Sequence, residues 1–132
     1  MSGRILQPEG WAPARGYANG VAATGRQVFV AGQIGWNSNA QFESDDLVAQ
    51  IAQALRNVVA VLAEGGAEPA HMTRMTWYLT DRVEYKRRAA EIGAAYREVI
   101  GRHYPAMTAV EVRALIEDRA KVEIEVTAVV PE

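Results

Sequence analysis

HYPAMTAVEV, residues 103–112, and KVEIEVTAVV, residues 121–130, are two alternating segments near the C-terminus. Alternation with a period of two sends successive side chains to opposite faces of a strand. In the second segment Val122, Ile124 and Val126 take one face. Glu123, Glu125 and Thr127 take the other, before the run turns apolar at Val129 and Val130. The first segment is entered through Tyr104-Pro105, and a polar turn around Glu117-Asp118-Arg119 separates the two.

Outward from this pair, RMTWYLT, residues 74–80, is another β-rich run. Met75, Trp77 and Leu79 share one face, and Arg74, Thr76 and Tyr78 the other. Asp81, with Glu84 three residues on, matches a helix start. The stripe Tyr85, Ala89, Ile92, Tyr96 and Ile100 continues it to a stop at Gly101. Further upstream, Ser44 is the predicted N-cap of a helix with Asp45 and Asp46 in its first turn. Leu47, Ile51, Leu55, Val58 and Leu62 recur at helical spacing up to Gly65-Gly66. Residues 20–35, GVAATGRQVFVAGQIG, turn at Gly25-Arg26 and predict a hairpin whose second run, residues 28–31, is buried on both faces.

The predicted order is therefore β-β-α-β-α-β-β, an α+β domain over residues 1–132 with two helices on one face of one mixed sheet. Such a sheet leaves its far face wet, yet Val28 and Val30 are expected on it. That face is expected to pack against other copies of the chain.

A chain of 132 residues with 49% apolar composition supports a single self-sufficient core. It has no cysteine, which excludes disulfides, thiolate nucleophiles and cysteine-based zinc sites and fits a cytoplasmic protein. The start, MSGRILQPEG, lacks the apolar core of a secretory signal, and no uninterrupted apolar run reaches the roughly 18 residues of a membrane span. Net charge is −2 with no basic stripe, so neither a nucleic-acid partner nor a membrane is expected. His71 and His103 lack metal-ligand spacing, and no metal or cofactor is expected. His103 is placed either near the cleft described below or as a cation at the end of its helix.

The ordered series of these segments resembles the Rid family (reactive-intermediate deaminases, also called YjgF or endoribonuclease L-PSP proteins). PAM followed by TAVEV, then VEIE, is similar to the family's P-A-R, V-E-V and V-E-I-E. GYANGV (16–21), AGQIG (31–35), the helix with Gln50, Leu55, Asn57 and Val58, and TWYLTD (76–81) resemble further family elements in order. The resemblance implies a chorismate-mutase-like fold assembled as a homotrimeric barrel. Small carbonyl, imine or enamine compounds bind in clefts between subunits. Many members hydrolyse amino-acid-derived imines to a keto acid and ammonia. It also implies roles. Tyr17 matches the cleft tyrosine, Gly32 the backbone position beside the ligand, and Glu123 the acidic residue that handles the catalytic water.

Three positions depart from that pattern. Met107 stands where the family has the arginine that holds the substrate carboxylate, Ala31 replaces a serine, and Gly93 replaces a cleft asparagine. A thioether has neither charge nor donor. Losing a bidentate charge pair weakens binding on the order of 100-fold or more. The pocket is expected to be more apolar, walled by Trp36, and suited to an aromatic or less charged ligand rather than a small α-imino acid. Arg15 and Arg113 are the candidates to replace the lost cation. Glu123 can still orient or deprotonate a water, with a pKa raised by an apolar pocket. On alternation alone it is a solvent-facing strand glutamate like Glu125, about 7 Å away. Met107 and Trp77 are most simply core residues, and Trp11 is placed over an edge. The competing functions are a divergent imine or enamine hydrolase and a ligand-binding or regulatory trimer without turnover. The acidic chain without a paired-histidine site argues against a ribonuclease.

Overall fold

The computed structural model describes residues 3–132; Met1 and Ser2, which open the N-terminal stretch considered above, lie outside them. A short ribbon pairs β1 (Arg4–Leu6) with β2 (Gly20–Ala22), antiparallel. The main sheet contains β3 (Arg26–Ile34), β4 (Met72–Leu79), β5 (Ala106–Glu111) and β6 (Val122–Val130) in the order β3-β6-β4-β5. The last strand in sequence is thus central, antiparallel to both β3 and β4, while β4 and β5 run parallel. Parallel neighbours need a long crossover. It is supplied by α2 (Arg82–Arg87) and α3 (Ala89–Val99). The other helix, α1 (Leu47–Glu64), and a 3-10 turn at Pro69–His71 join β3 to β4.

The predicted core forms. Ile51, Leu55, Val58 and Leu62 of α1 have no exposed surface and pack with Met75, Trp77, Leu79, Val122 and Ile124 of the sheet. Each such side chain contributes roughly 1.5–3 kcal/mol by leaving water. By length and composition alone α1 is long and apolar enough to cross a membrane, unlike the expectation from the sequence. Its apolar stripe, however, lies against the sheet, as in the central helix of a packed domain. Gly66, with φ 72°, ends α1 in the left-handed conformation that glycine adopts freely.

Four local expectations are corrected. β2 bonds to β1, not to β3, so residues 20–35 are not a hairpin. The longer pairing of β3 with β6, Arg26 opposite Val130 through Val30 opposite Val126, takes the strand instead. Residues 28–31 are buried on one face only. Val30 is 3% exposed and Val28 packs on the core, whereas Phe29 is 70% exposed and points away from the helices. The apolar group on the open face is therefore Phe29, not Val28 or Val30. Asp46, not Ser44, caps α1. Its carboxylate accepts from Ala49 N at 3.0 Å, and the Ser44 hydroxyl accepts from Asp46 N.

The second predicted helix is two. It starts at Asp81, whose carboxylate accepts from Val83 N and Glu84 N, and breaks at Arg88. There the guanidinium donates to Asp46 at 2.6 Å, to Glu91 at 2.9 Å and to Glu84 at 3.4 Å. Held by carboxylates on α2, on α3 and at the N-cap of α1, Arg88 ties the kink to the start of α1. Its proximity holds the Asp46 and Glu91 carboxyls below their ordinary range.

Candidate functional site

The edge strand β5 builds the first candidate site. Ala18 forms an isolated parallel bridge to Ala106, and its N–H donates to Pro105 O at 3.0 Å. This tether brings the Gly16-Tyr17 turn against the start of β5. Met107 follows, in register with the fully buried Met75, so it faces the helices. Across from it α3 presents Gly93, Tyr96 and Arg97. Together with Arg15, Tyr17 and Tyr104 these groups line a cleft of about 240 Å³. Of the residues singled out in the sequence, the structure therefore gathers Tyr17, Gly93, Met107 and Arg15.

The cleft is aromatic. Tyr96 and Tyr104 stack, centroids 5.3 Å apart and 11° from parallel, and Trp77 lies 6.5 Å from Tyr96. Trp77 is buried at 1% exposure, as its alternation predicts, and its Nε1–H is the one buried side-chain polar atom without a partner among the described residues. The Tyr96 hydroxyl donates to His103 O at 2.6 Å, and burial pushes its ionisation far above the ordinary tyrosine range. His103 Nε2 lies 2.8 Å from Met72 O. A carbonyl only accepts, so Nε2 carries the proton. His103 is thus a clamp between the approach to β5 and the start of β4. His71 Nδ1 accepts from Glu68 N in the 3-10 turn, and no cluster placed to hold a metal exists among the described residues.

The second candidate group lies on the other side of the sheet. Glu123 stands opposite Tyr78 and Ile34, on the face away from the helices. Gly32, in the bulge of β3, meets it so closely that a Cβ there would overlap the Glu123 carboxylate. Next to them Tyr78 donates to Glu125 at 2.6 Å, a bond that raises the Tyr78 pKa. Trp36 lies past the end of β3, tilted against Phe42 at 5.9 Å, and its carbonyl accepts from Asn57 Nδ2 at 2.8 Å. Within one protomer Trp36, Gly32 and Glu123 do not line the cleft of Tyr17 and Met107.

Two further positions are settled. Arg113 lines a surface depression with Asp118 and Lys121, away from the cleft, so of the two substitute cations only Arg15 lines it. Trp11 is 61% exposed and lines a larger hollow of about 760 Å³ with Ile5 and Val21 of the ribbon, reached also by Tyr17 and Tyr104. Arg97 was not singled out in the sequence. The available signal was its i,i+4 spacing from Gly93, which places both on one helix face.

The comparisons with known proteins agree with one another. Residues 9–130 match the family described as Endoribonuclease L-PSP. Protein DfrA of Myxococcus xanthus is 34% identical over 110 residues, covering 80% of this chain and 77% of that one. A 2-iminobutanoate/2-iminopropanoate deaminase of Salmonella typhimurium is 31% identical over 116 residues, 86% of each chain. The solved structure of the Rid-family protein YyfB from Yersinia pestis superposes with a TM-score of 0.85 at 33% identity, covering 98% of this chain and 100% of that one. Sequence, strand order and superposition thus converge, and the chain belongs to the endoribonuclease L-PSP, or Rid, family.

Proposed function

We propose that the chain is a divergent Rid-type hydrolase that acts on an imine, enamine or related carbonyl compound in a cleft shared by two copies of a homotrimer. One observation carries this reading. The two candidate groups lie on opposite faces of one sheet, Met107 with Tyr17 on the helix side and Glu123 with Gly32 on the open side. A site that uses both must draw them from different copies. Exposed Phe29 on the open face supplies apolar area for that contact. The similarity to an imine deaminase supports the reaction class.

In this reading Tyr17, Met107 and Gly93 bind the ligand, while Glu123, Gly32 and Trp36 arrive from the neighbouring copy. Glu123 takes a proton from water as the oxygen attacks the C=N carbon. The resulting carbinolamine collapses to a carbonyl compound. The C–N bond breaks as its electron pair leaves on nitrogen, which departs as ammonia after protonation. The scheme uses no metal or cofactor. Met107 cannot hold a carboxylate at the strand position beside the reacting C=N, so small α-imino acids are poor substrates. The same exchange favours a second reading, a ligand-binding trimer without turnover.

Ammonia release from a panel of imines, from 2-aminoacrylate to aromatic imines, tests the proposal. Turnover of the aromatic members that depends on Glu123 supports hydrolysis. Absence of any turnover leaves the binding trimer. Rates on 2-aminoacrylate equal to those of an arginine-bearing relative would contradict the substrate assignment.

A further inference from the structure

The cleft has methionine at residue 107 where the family resemblance places an arginine, and it holds another cation that nothing among the described residues neutralises. Arg97 lines it from α3, and its guanidinium has no carboxylate or hydrogen-bond partner among the described residues. Its counterpart at the head of the same helix, Arg88, is bound by three acids. Gly93 explains the position of the Arg97 group. A Cβ on Gly93 would lie 3.1 Å from Arg97 Nη1, tighter than side chains normally pack. The guanidinium therefore packs over the bare Cα of Gly93. The exchange at residue 93 deletes a side chain, and it also opens a seat for a charge one helical turn on.

We infer that Arg97 is the anion anchor of this cleft, and that the ligand is a planar or aromatic carboxylate whose ring lies along Tyr17, Tyr104 and Met107. This rests on the cleft being the ligand site, as proposed above, but not on any turnover there. A guanidinium presents paired donors that match a carboxylate, and its planar fork loses less freedom per hydrogen bond formed than a lysine does. Aromatic faces and a thioether favour an apolar, planar body over a short polar one. Moving the cation from the strand to the helix changes where the carboxylate sits. Both arginines are exposed and line the cleft, but Arg15 stands on a loop and Arg97 on α3, so Arg15 is the weaker anchor.

The test is isothermal titration of the full chain with phenylacetate and with phenylacetamide, which share a ring and differ in charge. The acid is expected to bind more tightly. Arg97→Gln should weaken it about tenfold or more and leave the amide unchanged. Gly93→Ser, which crowds the guanidinium, should weaken the acid in the same direction, and Arg15→Gln should do so less than Arg97→Gln. Equal binding of acid and amide, no saturable binding of either, or an unchanged acid affinity in Arg97→Gln would overturn the inference. If no imine is hydrolysed while the acid preference and its Arg97 dependence hold, hydrolysis falls and the anion site stands.

Discussion

The two faces of the sheet are built by opposite rules. On the helix side every large apolar group of β4 and β6 is covered, and buried polar groups are almost all satisfied. Gln50, 1% exposed, donates to Ser44 O and Arg119 O and accepts from Lys121 N at 2.8 Å. On the open side Phe29 projects into solvent beside a row of carboxylates and hydroxyls on β4 and β6. One face buries the core of the protomer; the other leaves Phe29 and its polar row uncovered within the protomer. The candidate site follows this division, since its tyrosine and thioether belong to the closed side and its glutamate to the open one.

The comparison breaks first on the closed side. Gln50→Leu leaves two carbonyls and one N–H without partners and should destabilise the domain by about 3–5 kcal/mol in urea titration. On the open side Glu123→Gln should leave the urea midpoint nearly unchanged and lower turnover about 100-fold or more, the usual scale for a lost general base. A large loss of stability in that variant would show that the open face also folds the protomer. Phe29→Ser should weaken self-association about tenfold or more by light scattering, while far-UV circular dichroism is retained.

The smallest effect concerns the kink between α2 and α3. Arg88 holds the Asp46 and Glu91 carboxyls below their unfolded pKa values, first through its hydrogen bonds to them. A depressed carboxylate pKa adds stability that is present above the unfolded value and is lost as pH falls through the folded one. Arg88→Gln should therefore lower Tm by a few degrees at neutral pH, with the gap closing as pH falls below about 4. A gap that widened in acid would contradict the assignment.

Much of the closed side was legible in the sequence because its signals are local and periodic. Leu47 to Leu62 at helical spacing, Met75-Trp77-Leu79 at strand spacing, and the stops at Gly66 and Gly101 each need only neighbours within a few residues. What the sequence did not show depends on distant partners. The hairpin expected at residues 20–35 failed because β1 and β6 compete for its two arms. Ser44 and Asp46 are both good caps, and Asp46 is also the one that meets Arg88. The break at Arg88 needs that same contact. Tyr17 and Met107 were placed together by family resemblance, and the physical link between them, the bridge from Ala18 to Ala106, has no sequence signature. Arg97 went unseen because Gly93 read as a lost side chain rather than as space for another.

The central claim, that Met107 of one copy meets Glu123 of another, can be measured directly because the chain has no cysteine. A Met107→Cys/Glu123→Cys double variant, treated with a short bis-maleimide and run on a denaturing gel, gives the result. The two positions lie on opposite faces of one sheet, so bridging within a protomer is blocked. The account predicts covalent dimers and trimers that are absent from either single variant. Monomer alone, with both thiols shown by mass spectrometry to have reacted, would contradict it.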